Sequence, residues 1–204
     1  MRSSLNRNEF FVKEHVGLLK ASNNYDIFDP ATGQKVLECR EPKLGFFTKL
    51  FRFTDFKLWT PFHIEIRTPE GAKVLSIQRG LTLFRSKVEV RDERDRVVGH
   101  FEQKFFSIGG KFEVLDSRRK PVFTLRGKWT RWNFQFFQGN TELASVSKKW
   151  AGLAKEVFTT ADDYLLSINN AAGVSDSSRI LIVAAVMCID MVLKESSSPI
   201  EFLE

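Results

Sequence analysis

The chain has 204 residues, of which 43% are hydrophobic and 27% charged, with a formal net charge of +6 and a pI near 9.4. That length supports one domain with a sizeable core, and that hydrophobic share excludes a disordered chain. The basic excess suits an anionic partner, an acidic lipid surface or a nucleic acid, but ordinary basic proteins carry as much.

The N-terminal "MRSSLNRNEFFVKEH" has no apolar core of signal-peptide length, so a cytoplasmic rather than secreted protein is expected. Within it, "EFFVKEHVG" reads as a strand. Five hairpins follow. "YDIFDPATGQKVLECRE", "FHIEIRTPEGAKVLSIQRG", "KVEVRDERDRVVGHFEQK", "KFEVLDSRRKPVFTLRGK" and "NFQFFQGNTELASVSKK" each set two β-rich runs around a turn. Ile64, Val88 and Phe112 recur every 24 residues, and Phe134 comes 22 later. "DYLLSI" adds a last strand. Regular short strands with regular turns predict an all-β barrel or sandwich of about twelve strands, without a linker, as one domain over 1–204. Twenty Phe against two Tyr imply a wide, dry interior or exposed aromatic contacts.

One segment, 41–61, interrupts the rhythm between the first two hairpins. Phe46, Phe47, Leu50, Phe51, Phe53, Phe56, Leu58 and Trp59 alternate there with Lys43, Lys49, Arg52 and Lys57. Rings in the acyl boundary and cations on phosphates would make it an interfacial segment. Buried rings under exposed lysines would make it a seal over one barrel mouth. A second basic-aromatic run, "SRRKPVFTLRGKWTRW", carries Arg118, Arg119, Lys120, Arg126, Lys128 and Arg131 around Trp129 and Trp132. Its first three cations fall at a hairpin tip, a place for anionic lipid contact or an ordinary solvated turn.

Near the end comes "ILIVAAVMCIDMVL", 180–193, preceded by the capping run "SDSS" and followed by Ser-Ser-Ser-Pro. A helix is predicted over 178–195. Its 14 apolar-run residues fall short of the roughly 20 a bilayer core requires. Asp190 inside it would cost roughly 2.5–3.5 kcal/mol at a membrane centre. A helix apolar on every face and too short to span belongs inside a core. A twelve-stranded barrel is too wide for its own side chains to fill, and one helix is about the diameter that remains. The expected architecture is therefore a closed barrel of about twelve antiparallel strands around a buried hydrophobic C-terminal helix.

Conventional catalysis is not expected. His15, His63 and His100 lack ligand-like spacing, and "IGGK" is not a phosphate loop. "SIGGK" reads as a turn between strands. Cys39 and Cys188 read as buried thiols of a reducing compartment rather than a disulfide.

"SVSKKWAGLAKEVFTTADDYLLSI", with its Ser-Lys-x-Trp-x-Gly stretch at 147–152 and then Glu156, Phe158, Thr159, Ala161, Asp162 and Tyr164, resembles the phospholipid scramblase family. "MCIDMVLKES", with Ile189 and Asp190, is similar to that family's helix end. The first three hairpins also resemble the family and its LURP-one-related branch, within the tubby-like superfamily. The resemblance implies a twelve-stranded barrel around a C-terminal helix. It also implies a calcium-linked segment, where Asp162 and Asp163 stand but Thr160 replaces a usual first acid. Two adjacent acids are a thin supply for an ion that takes six to eight oxygens, so no cofactor is expected beyond that candidate calcium. The Pro-rich tail and Cys cluster that often accompany scrambling activity have no counterpart in this sequence.

The expected function is peripheral binding of an anionic phospholipid membrane, on the inner face, through the basic tips and the Phe-rich insert, with assistance to lipid translocation as an extension. Its candidate contacts are Arg118, Arg119, Lys120, Lys128, Arg131, Phe46, Phe47, Lys49, Arg52 and Trp59. The alternative is a cytosolic, non-enzymatic LURP-one-like module that binds a protein or a small apolar ligand. Nucleic acid would use the same charges and rings, with nothing else in the sequence to favour it.

Overall fold

A computed structural model of the chain describes residues 2–14, 24–41, 62–80, 87–103, 112–128, 133–148 and 163–196. Twelve strands run through it: β1 Glu9–Glu14, β2 Tyr25–Phe28, β3 Lys35–Arg40, β4 Phe62–Arg67, β5 Lys73–Arg79, β6 Lys87–Asp92, β7 Val97–Gln103, β8 Phe112–Asp116, β9 Pro121–Lys128, β10 Asn133–Gln138, β11 Thr141–Ser147 and β12 Tyr164–Ile168. Each pairs antiparallel with the next, and β12 returns to β1, with Phe10 opposite Leu166 and Val12 opposite Tyr164, to close the barrel. Period-two burial explains the strands. On β4, Phe62, Ile64 and Ile66 are buried while His63, Glu65 and Arg67 are half-exposed.

The 24-residue rhythm has a backbone cause. Three hairpin tips begin at Thr68, Asp92 and Asp116, and each turns through a residue of positive φ three positions on: Gly71 at 90°, Asp95 at 61° and Arg119 at 61°. The N–H of that residue donates to the carbonyl of the first in all three. A register shift follows beside each tip, at Ile66/Arg67, Val90/Arg91 and Val114/Leu115. A left-handed residue with a bulge is how a three-residue hairpin loop joins twisted strands. Asp92 and Asp116 tighten their tips. Asp92 Oδ1 accepts from the N–H groups of Arg94 and Arg96, and Asp116 Oδ1 from those of Arg118 and Lys120.

These tips, with the β2–β3 and β10–β11 turns, share one end of the barrel. From that end a helix, α1, enters over Asp176–Ser196, two residues earlier and one later than the sequence predicts. The earlier start follows from its cap, because Ser175 Oγ accepts from the Ser178 N–H at 3.2 Å. Residues 181–189 of α1 are all buried. Arg179, itself buried, locks the entrance by donating to the carbonyls of Leu5 and Arg7 and to Asn8 Oδ1.

The helix lies off-centre, approaching β5, β6 and β7. Those strands and β4 present aliphatic side chains, including Ile64, Ile66, Leu75, Ile77 and Val90. Rings occupy much of the rest: Phe10 on β1, Tyr25 on β2, Phe123 on β9, Phe134 and Phe136 on β10 and Tyr164 on β12. Phe136 meets Phe123 and Phe134 edge-on at 5.7 Å between centroids, a favoured aromatic geometry. These described rings help fill the space a single helix leaves in a wide barrel. Cys39 and Cys188 are buried and free.

Candidate functional site

The outer face of the barrel separates into two regions of different electrostatic character. Across β2 to β7 most described cations have acid partners, Lys35 with Glu38, Arg40 with Asp26, Arg67 with Glu65, Lys73 with Asp95, Arg91 with Glu89, Arg94 with Glu93 and Arg96 with Asp92, and Arg7 just before β1 pairs with Asp29, while the buried Arg79 lies over the Phe62 ring. An outward wall of ion pairs around an apolar interior is the reverse of a lipid-embedded barrel, which turns an apolar band outward. No described helix is long and apolar enough to cross a membrane.

On β9 and its tip, Arg118, Lys120 and Arg126 have no acid partner among the described residues. Arg118 and Lys120 are exposed and make no ion pair with a described residue. Arg119 reaches Glu102 at 3.2 Å. Arg126, exposed midway along β9, donates to the Gly139 carbonyl at 3.0 Å and lies 4.4 Å from the centroid of the Phe137 ring. The ring and the carbonyl fix the guanidinium, leaving its other N–H groups for solvent or a ligand. The tip is also strained. Gly71 fills the left-handed position in the equivalent β4–β5 hairpin, but here an arginine does, at φ 61°, a conformation unfavourable for a long side chain. Beneath it, His100 is held below the ordinary histidine range, chiefly by burial and then by the Arg119 charge.

A model of the Scramblase family matches residues 13–196. The chain belongs to the Scramblase family. Its fold is also similar to that of an X-ray structure of a protein from Arabidopsis thaliana, with a TM-score of 0.54 and 16% identity over 90% of this chain and 91% of that one. A likeness at that identity concerns the fold alone.

The Scramblase family is not a conventional enzyme family, and the described residues of this member gather no catalytic constellation. His63 and His100 stand on separate strands, β4 and β7. A cavity of about 110 Å³ at the helix entrance, lined by Leu5, Val74, Val98, Arg96, Arg179 and Ile180, is smaller than the roughly 300 Å³ at which small-molecule pockets begin.

The expected lipid contacts whose backbone is described fall at two ends of the barrel. Arg118, Arg119 and Lys120 are at the helix-entrance end. Lys128, whose backbone closes β9, is at the other, roughly 23 Å away along the strand. The residues flanking the insert, Glu41 and Phe62, also lie at that other end. Phe46, Phe47, Lys49, Arg52, Trp59, Arg131 and Asp162 fall outside the described residues, as does the SIGGK turn. Asp163 is described. It is 7% exposed, and neither carboxylate oxygen has a hydrogen-bond partner. No group of three potential metal ligands occurs among the described residues, and the other candidate calcium acid, Asp162, lies outside them. Sequence reasoning named Arg126 in passing and missed Phe137. The clue was a cation and a ring on the outward positions of adjacent strands.

Proposed function

We propose that this Scramblase-family barrel is a peripheral protein of anionic phospholipid surfaces, which it meets with exposed, unpaired cations instead of inserting. The observation that supports this reading is the contrast between Arg118, Lys120 and Arg126, which have no acid partner among the described residues, and the paired cations of β2 to β7. A cation already neutralised by a carboxylate adds little to an encounter with phosphate. An unpaired one near an anionic bilayer contributes about 1 kcal/mol. The cytoplasmic leaflet is the anionic one, in keeping with a site on the inner membrane face.

The helix and the buried rings together occupy the described barrel interior, so any lipid translocation the protein assists takes place along its outside. Calcium is not required for contact of this kind. Vesicle co-sedimentation tests the reading: phosphatidylserine-containing vesicles are expected to retain the protein at low salt and release it as salt rises, while pure phosphatidylcholine retains little. Equal retention on both, or none on either, would count against it and favour a module that binds a protein or a small apolar ligand.

A further inference from the structure

One stretch of the sequence carries an excess of cations equal to the net charge of the whole chain. Residues 117–141 contain six of the 31 Lys and Arg and none of the 25 Asp and Glu. The remainder is balanced, so this window alone accounts for the net +6. It spans the basic tip, β9, β10 and the β10–β11 turn. Along β9 the outward positions include Thr124 and Arg126, both exposed, with the half-buried Phe137 under the arginine. The helix-entrance end as a whole is different, because Glu70, Glu93 and Asp95 stand on neighbouring tips there, and Asp95 has 67% of its side chain exposed. An anionic surface meeting that end squarely would face those acids together with the cations.

Building on the lipid reading above, we infer that the barrel docks side-on, with its axis along the membrane plane and the β9–β10 wall against an anionic phospholipid bilayer. Arg126 is then a second contact, roughly 17 Å along the strand from the tip. The acidic tips turn away from the surface. The ion-paired wall of β3 to β6 faces water.

Single cysteines carrying an environment-sensitive dye would map this footprint, since native Cys39 and Cys188 are fully buried. The sites are Thr124→Cys on β9, Ser117→Cys at the tip and His63→Cys on the opposite side. On mixed phosphatidylcholine–phosphatidylserine vesicles, the dye at 124 is expected to shift to the blue and escape iodide quenching, while the dye at 63 stays quenched. Shielding at 117 without shielding at 124 would overturn side-on docking and leave the lipid reading standing. Failure of the wild type to co-sediment would remove both. Arg126→Gln is expected to weaken vesicle partition about five-fold with an unchanged melting temperature, while Arg67→Gln leaves partition unchanged. No effect of Arg126→Gln would overturn the second contact. Displacement of the vesicles by a single-stranded oligonucleotide at equal phosphate concentration would assign the wall to nucleic acid and overturn the lipid commitment.

Discussion

A Cβ on Gly99 would stand 2.6 Å from Leu181 Cδ2, so β7 and the central helix meet where only a hydrogen atom fits. The same Cβ would overlap the Leu115 carbonyl oxygen, which belongs to backbone and cannot swing aside. Gly99→Ala is expected to lower stability by about 2–3 kcal/mol, near the upper range for overpacked cores. Combining it with Leu181→Ala removes one of the two overlaps, so the double variant should be less destabilised than the sum of its singles. Urea unfolding of the four proteins checks this. Strict additivity would mean that the helix does not press on β7.

Arg179 is the clasp between the two ends of the described chain. Its guanidinium serves the Leu5 and Arg7 carbonyls and Asn8 Oδ1, and Arg179→Met would leave those acceptors without their donor. A loss of about 2–3 kcal/mol is expected, with faster amide exchange in β1 and α1. Unchanged exchange there would show that the N-terminal residues do not brace the helix.

Stability and binding should separate at Arg119. Glycine relieves the left-handed strain at φ 61° and loses a half-exposed ion pair with Glu102, a contact worth little. Arg119→Gly is therefore expected to keep or raise the melting temperature, by up to about 1 kcal/mol of stability, while partition onto acidic vesicles stays near wild type, because Arg119 is already paired with Glu102. A drop in melting temperature would contradict the strain assigned to the tip, and a large loss of binding would show that an acid partner does not silence a tip cation.

Asp92 and His100, both buried, contribute to the pH dependence. For Asp92 burial pushes the carboxyl up, but hydrogen bonds from the Arg96 side chain and from the Arg96 and Arg94 N–H groups, with the Arg96 charge, pull it lower still. A depressed acid stabilises when ionised, so its contribution is complete above the ordinary 3.8 and is lost as pH falls through the folded value. His100 is depressed by burial first and then by Arg119, against Glu89, Glu102 and Asp116. The fold prefers the neutral ring, so this contribution is complete above 6.5 and declines as pH falls below it. Unfolding free energy should therefore fall between about pH 7.5 and 5, and His100→Gln should flatten that slope.

The barrel was legible because its signals are local. Turn residues recur every 24 positions, and Thr68, Asp92 and Asp116 occupy the same backbone role. The enclosed helix was legible from chemistry, since a short run apolar on every face has nowhere else to go. Its off-centre seat was not, because Gly99 reads as an ordinary strand glycine until Leu181 is set against it. The site was half legible. The cations at 118, 119 and 120 announce a tip, but only register puts Arg126 beside Phe137 and shows which other cations are already paired. The basic tip and the aromatic insert looked like parts of one surface, whereas strand direction sets the residues that flank the insert, Glu41 and Phe62, at the end opposite the tip.

The most direct measurement compares two variants of equal net charge on phosphatidylserine vesicles at low salt. One replaces Arg118, Lys120 and Arg126 with Gln, and the other replaces Lys35, Arg67 and Arg91. The expected result is a loss of about a hundred-fold in partition for the first and near-wild-type partition for the second. Equal losses in both would mean that overall charge, and not the acid-free wall, governs the encounter with lipid.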